Sequence, residues 1–256
     1  MIRFASLGSG SEGNGLLIEV GSTRLLLDCG FRLKDVVARL GRLGVLAEQL
    51  DGILITHEHE DHAGGVGPLA RKFGIPVYIT YGTLAALGGE RARLPRTHLI
   101  DSHTPFSVGD LQVHPYPVPH DAREPAQYVF SDGQRRLGVL TDVGCSTPHI
   151  EETLSGLDAL MLECNHDQDM LMNGPYPASL KQRIASRHGH LANQAAARLV
   201  AALDCTRLQH FVAAHLSQQN NTPELARQSM AQALNTSAEW ITVATQQEGF
   251  GWRELR

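Results

Sequence analysis

A layered αβ fold is what this 256-residue chain predicts. Short apolar runs, each long enough for one strand, alternate with stretches whose apolar residues fall at helical spacing. Several of the apolar runs end in a residue able to bind metal, as strands do when their ends share one rim. No repeat period and no low-complexity linker interrupts the alternation, so the reading is one domain over residues 1–256.

In chain order, "RFASLGS", "GLLIEVG" and "TRLLLDCG" read as three strands joined by Gly/Ser turns. "RLKDVVARLGRL" then sets Leu33, Val36, Val37, Leu40 and Leu43 on one helical face. "GILIT" reads as a buried strand, and "GVGPLARKFG" as a helix ending at Gly74. "PVYIT", "THLID", "LQVHPYPV", "AQYVFS", "RRLGVLTD" and "LDALMLEC" are mostly extended. "ASLKQRIASRHG" and "NQAAARLVAAL" are helical, "LQHFVAAH" is a strand, "PELARQSMAQAL" a helix and "EWITVAT" a late strand. "GGERARLPR", with Arg91, Arg93 and Arg96, reads as a solvated loop.

Hydrophobic content of 42% and charged content of 19% fit an ordinary soluble protein. The apolar runs are too short to span a bilayer, and the N-terminal stretch lacks a secretory signal's apolar core. The four cysteines form no CxxC pair, which favours reduced thiols. A cytoplasmic protein without membrane contact is expected. The net charge of −5 offers no global field to attract nucleic acid, although a local metal site can supply positive charge.

The chemistry concentrates at run ends. Asp28 ends "RLLLD", His57 follows "ILIT", His120 follows "YPVP", Asp142 follows "LGVLT" and His215 follows "FVAA". In "THEHEDHAGG", His57 and His59 alternate, so an extended loop can aim both to one side. Asp61 and His62 follow a turn and can face a second ion. Imidazole suits zinc and iron, and carboxylate can bridge two ions. The loop alone completes neither site, so His120, Asp142 and His215 are the candidates for the rest, with His114 and His103 as alternatives to His120.

At this HxHxDH loop the chain resembles the metallo-β-lactamase superfamily. That resemblance implies a four-layer αββα sandwich with a metal site at one edge. Its motifs fall on Asp28, on His57, His59, Asp61 and His62, on His120 in "VPHDA", on Asp142 in "LTDVG" and on His215 in "AAHLS". "LGSGSEGNG", "LECNHD", "SLKQRIASRHGHLAN" and "HLSQQNN" further resemble the YycJ/WalJ branch of bacterial nucleases and phosphodiesterases. The resemblance implies two divalent ions, zinc first with manganese or iron as alternatives. It gives His57, His59 and His120 to one ion, and Asp61, His62 and His215 to the other. Asp142 bridges them, and Asp28 holds the histidine loop through hydrogen bonds without binding metal. "RHGHLAN" carries Ala192 where this branch leads one to expect serine. The 72 residues between Asp142 and His215 leave no room for a β-CASP insertion.

The expected activity is hydrolysis of a phosphodiester in nucleic acid or a nucleotide derivative, with water between the ions as nucleophile. Asp61 and His190 are the expected catalytic side chains, His190 as the acid for the leaving oxygen beside basic Lys181, Arg183 and Arg187. Ser9 and Asn14 in the glycine-rich "GSGSEGNG", together with His166, Lys181, Arg187 and His190, are candidate substrate contacts. The alternatives are a hydrolase of thioesters, lactones or other carbonyl substrates, and a catalytically silent metal-binding regulator. The sequence leaves the oligomeric state open, with a homodimer among the options.

Overall fold

The computed structural model describes residues 1–89 and 92–256; Arg91 lies outside the described residues. The first half supplies strands β1 (Ile2–Gly8), β2 (Gly15–Val20), β3 (Thr23–Leu27), β4 (Gly52–Leu54), β5 (Val77–Thr80) and β6 (Thr97–Ile100). The second supplies β7 (Phe106–Val108), β8 (Leu111–Pro117), β9 (Ala126–Ser131), β10 (Arg136–Leu140), β11 (Ala159–Glu163), β12 (His210–Ala214) and β13 (Thr242–Val243). A last strand, β14 (Phe250–Glu254), returns to the first sheet. The helices are α1 (Leu33–Arg42), α2 (Glu60–Ala63), α3 (Val66–Phe73), α4 (Tyr81–Leu87), α5 (Pro148–Leu154), α6 (Gln168–Asn173), α7 (Ala178–Ile184), α8 (Asn193–Ala202) and α9 (Pro223–Leu234).

Two seven-stranded sheets result, ordered β14-β1-β2-β3-β4-β5-β6 and β13-β12-β11-β10-β9-β8-β7. Each begins as an antiparallel meander and turns parallel part-way, at β3/β4 in the first and β10/β11 in the second. Side-chain alternation explains the layering. Leu25 and Leu27 of β3 face the layer between the sheets, with Phe4, Tyr128, Phe130 and Met161. Leu26, between them, faces outward onto Val36 and Leu40 of α1 and Leu69 of α3. On the other sheet, Leu160 and Leu162 face outward onto Ile150, Leu199 and Met230 of α5, α8 and α9. These three apolar layers make the αββα sandwich.

The elements match much of the sequence reading, which did not include β7 or α2, and differ from it in further ways. "EWITVAT" opens as a 3-10 turn at Ala238–Trp240, and only Thr242–Val243 pair with β12. "ASLKQRIASRHG" stops being helical at Ile184, because the chain doubles back and His190 N donates to Ile184 O at 2.8 Å. β14 has no clear alternating pattern in sequence, yet it pairs with β1, and Trp252 Nε1 donates to Leu43 O. The short helices α4, α5 and α6 carry too few turns for periodicity to reveal them.

The two sheets are stitched together next to the chemistry. Tyr128 Oη of β9 donates to Ile55 O at 2.8 Å, and Ala126 N donates to Thr56 O at 3.0 Å. The loop that follows β4 is thereby tied to the second sheet just before His57.

Candidate metal centre

Five run ends converge at one edge. Asp28 follows β3, His57 lies shortly after β4, Asp142 follows β10, Glu163 is the last residue of β11 and His215 follows β12. Asp28, Asp142 and His215 have φ of 60°, 52° and 54°. Among the described residues only Asn235, a helix end, is the other non-glycine with positive φ. A left-handed residue at a strand end turns its side chain off the strand axis, at a strain cost of order 1–3 kcal/mol each. Three such costs on one rim mark the place where the fold holds side chains for a purpose beyond packing.

The loop of residues 57–65 is fixed by backbone approach. Asn14 N donates to Asp61 O, Cys29 N to His62 O and Gly65 N to Cys29 O, each at 2.7 Å. Gly30 permits this, since a Cβ there would sit 1.8 Å from Asp61 O. His59 is the residue before α2, and Asp61 and His62 lie within its single turn. The turn separates the two pairs of side chains.

The donors fall into overlapping sets whose ligand atoms lie within 4.8 Å of one another: His57, His59 and His120; Asp61, His62 and His215; His57, His62 and Asp142; and Asp142, Glu163, His190 and His215. In the first set, His59 Nδ1 is 3.0 Å from His57 Nε2 and 3.4 Å from His120 Nε2. In the second, Asp61 Oδ2 is 3.4 Å from both His62 Nε2 and His215 Nε2. Donors about 2.0–2.1 Å from a tetrahedral ion stand roughly 3.3 Å apart, which these spacings approach. Asp142 Oδ2 is buried without a hydrogen bond, although His62 Nε2 is 2.7 Å away. Two atoms that close without donor–acceptor geometry behave as ligands facing one centre. His114, the alternative to His120, lies instead with His103 and His149 around a separate cavity.

Each inner imidazole is held from behind. His62 Nδ1 meets Asp28 Oδ2 at 2.7 Å, His57 Nδ1 meets Thr56 Oγ1 at 2.9 Å, and His120 Nδ1 meets Gly189 O at 3.1 Å. His215 Nδ1 meets Glu163 Oε1 at 3.0 Å. Nε2 of each lies on the side of the other donors, the arrangement by which proteins orient metal-binding histidines, and at His62 the Asn14 amide also comes within 3.1 Å of it. Asp28 also accepts from Thr56 N and Thr56 Oγ1.

The electrostatics favour a positive charge at this point. Burial works against a charge on His62, but Asp142, Asp61 and Asp28 together outweigh it and hold its pKa well above the usual imidazole range. Burial opposes charge on His215 too, and Asp142, Asp61 and Glu163 raise it to about 10. At His57, burial and the neighbouring His62 outweigh Asp142 and push the pKa well down. Burial would raise Asp142, yet His215 and His62 hold it well below the usual carboxylate range. Buried carboxylates that recruit protons onto neighbouring histidines are a donor set suited to cations.

Two functional residues escape sequence reasoning. Glu163 is fully buried, and its Oε1 meets His190 Nδ1 at 2.8 Å as well as His215. Its Oε2 accepts from Val143 N and Leu191 N. The signal was present, because Glu163 ends the run "DALMLE" as Asp28 ends "RLLLD". Thr56, last residue of "ILIT", joins Asp28 to His57 through its hydroxyl.

A cleft of about 310 Å³ opens over the donors, lined among others by Ser11, Asp61, Asp142, Tyr176, Arg183 and His190. Arg183 is anchored there by Asp121, with Nε donating to Oδ2 at 2.7 Å. Ser9 and Asn14, expected as substrate contacts, are instead buried and turned inward. Ser9 Oγ accepts from His215 N, and the Asn14 amide reaches Gly10 O and Asp61. Lys181 lies apart from the cleft, with Nζ donating to Met172 O. Arg187 lines neither this cleft nor the neighbouring cavity; its side chain is exposed and its backbone packs on Gly144. Arg187 comes after the early end of α7, whereas Lys181 lies within the helix and is drawn to Met172 O. His166 is buried and lines the neighbouring cavity, not the cleft.

Comparison with known proteins follows the same lines. The family model for the beta-lactamase superfamily domain matches residues 23–216. Over 239 residues the chain is 38% identical to exodeoxyribonuclease YycJ of Bacillus anthracis, covering 91% of this chain and 89% of that protein. The chain belongs to the YycJ/WalJ branch of the beta-lactamase superfamily. This branch member is also 34% identical to exodeoxyribonuclease WalJ of Streptococcus pneumoniae, over 91% of its own length and 88% of WalJ. Its fold is that of the metallo-beta-lactamase fold protein YhfI from Bacillus subtilis, with TM-score 0.77 at 19% identity over 98% of both chains. Among the described residues of the branch member, no helix is long and apolar enough to cross a membrane.

Proposed function

We propose that this protein is a metal-dependent nuclease or phosphodiesterase, acting on nucleic acid or a nucleotide derivative as one domain over residues 1–256. The observation that carries the reading is the pair of three-donor sets meeting at Asp142 beneath the cleft. The full-length relatives, both exodeoxyribonucleases, support the substrate class. We assign two divalent ions per chain, zinc first with manganese or iron as alternatives. His57, His59 and His120 hold one, Asp61, His62 and His215 the other, and Asp142 is shared. Asp28 and Glu163 orient the imidazoles from behind. The free cysteines support a cytoplasmic setting.

Bound ions supply Lewis acidity and a water nucleophile at neutral pH. The chain's own residues supply the rest. Arg183 lines the cleft and meets the phosphate's charge. Asp61, which also lines it, is held ionised by His62 and His215 against the effect of burial and accepts a proton from water. His190 lies across the cleft with Nδ1 tied to Glu163. Burial disfavours its charged form, and Glu163 outweighs burial and raises its pKa, so Nε2 carries a proton for the leaving oxygen.

Metal analysis combined with a turnover panel tests the reading. The panel is bis-p-nitrophenyl phosphate, single-stranded and duplex DNA, RNA, a thioester and a β-lactam, with Asp142→Ala as control. Metal-dependent cleavage of the phosphodiesters, lost in Asp142→Ala, is expected. Turnover confined to the thioester or the β-lactam would sink it.

A further inference from the structure

Beside the cleft lies a second cavity of about 460 Å³ that the reaction at the metal centre does not use. The two spaces share His190, and one tight loop serves both: Asp142 faces the cleft, and Cys145 and Ser146 line the cavity. Gly144 lets this loop pass, since a Cβ there would lie 2.2 Å from the Arg187 backbone.

The cavity's walls mix apolar side chains with polar ones, Ser146 and Gln168 among them. Leu171 and Met172 of α6 form one side, and Ala195 and Leu199 of α8 another. Arg198 is its one arginine or lysine, and Glu151 faces the same space. That is a poor composition for a phosphate, which needs several donors or cations. His166 supplies a polar feature, only 2% exposed. Its Nδ1 is 3.3 Å from Asn165 Oδ1, which fixes Nδ1 as the donor and leaves Nε2 as an acceptor. Burial keeps the ring neutral, with its pKa lowered to about 4. Ala192, at the position expected to carry serine, also lines the space and gives α8 no side-chain cap.

A cavity of small-molecule size in which apolar side chains of α6 and α8 face a neutral hydrogen-bonding ring, opening beside a phosphodiester site, suits a flat heteroaromatic group. We propose that this cavity is a nucleobase subsite, which takes one unstacked base of the nucleotide next to the bond cleaved and meets its edge with His166. The proposal rests on the nuclease reading above. A base paired within a duplex cannot enter such a slot, so the terminal base must first leave the stack. Cleavage then favours frayed or single-stranded ends.

The test uses the metal-loaded protein, bis-p-nitrophenyl phosphate and three single-stranded oligodeoxynucleotides. One oligonucleotide is natural; the other two carry an abasic residue, one at the 5′ end and one at the 3′ end. The wild type is expected to show kcat/KM at least tenfold higher on the natural strand than on one of the abasic strands. Ala195→Phe, which fills the slot, is expected to bring that ratio close to one. The wild-type ratio decides alone if Ala195→Phe does not fold. Equal or absent cleavage of natural and abasic strands, alongside turnover of bis-p-nitrophenyl phosphate, overturns the subsite and leaves the metal centre standing. No turnover of any of these substrates removes the nuclease reading, and the subsite falls with it.

Discussion

The first sheet delivers its donors in one continuous loop, whereas the second delivers them one per strand. After β4, His57, His59, Asp61 and His62 come within six residues, and the turn of α2 divides them into two pairs. After β10 and β12 come Asp142 and His215 singly, each in a left-handed conformation, with His120 from the loop after β8. Both sheets turn from antiparallel to parallel before reaching the site, so their strand ends share a rim. Each sheet also places one carboxylate behind the histidines. Asp28 holds His62, and Glu163 holds His215. Local sequence can thus concentrate ligands on one side of a centre, but only the fold can close it from the other.

Breaking the shared point has the largest effect. Asp142→Ala removes the second-sheet donor that lies beside both His57 and His62, and phosphodiester turnover is expected to fall by about 10²–10³-fold or more. Steady-state kinetics at saturating metal measures it. Next come the two supporting carboxylates. Asp28→Asn loosens His62 and Glu163→Gln loosens His215 and His190, and metal affinity is expected to drop about 10–100-fold in either variant. Competition with a chelating dye reads both. A loss in one variant only would mean that the sheets do not support the centre in parallel ways.

Gly30→Ala attacks the packing under the histidine loop. Its Cβ has no room beside Asp61 O, so urea unfolding should show a loss of about 1–3 kcal/mol, with lowered metal content. The smallest effect concerns thiols. Burial, with Asp28 beside it, pushes the Cys29 thiol up to about 12, and burial likewise raises Cys164. Native protein should therefore react rapidly at no more than two of its four cysteines, Cys145 and Cys205, as mass spectrometry after brief alkylation can count.

The same asymmetry decides what sequence alone discloses. Four ligand-type residues in six positions are visible because they are contiguous, and the strands around them because they are apolar and bounded by Gly, Ser and Asp. Glu163 looks like any polar residue closing an apolar run until the fold sets it behind two histidines. Ser9 and Asn14 sit in a glycine-rich loop that suggests an open anion site. The loop instead folds onto residues 57–65, and their polar groups go to Asp61 and His215. β14 is set by its partner β1 rather than by a pattern of its own. The cavity beside α6 and α8 joins residues more than fifty positions apart, and no local pattern foretells it.

The central claim is that one contiguous histidine–aspartate loop is divided between two ions that the second sheet completes. Elemental analysis of the purified, zinc-loaded chain after removal of excess metal tests it most directly. Two equivalents of metal per chain are predicted, with about one retained in His59→Ala. A single equivalent in the wild type would contradict the division.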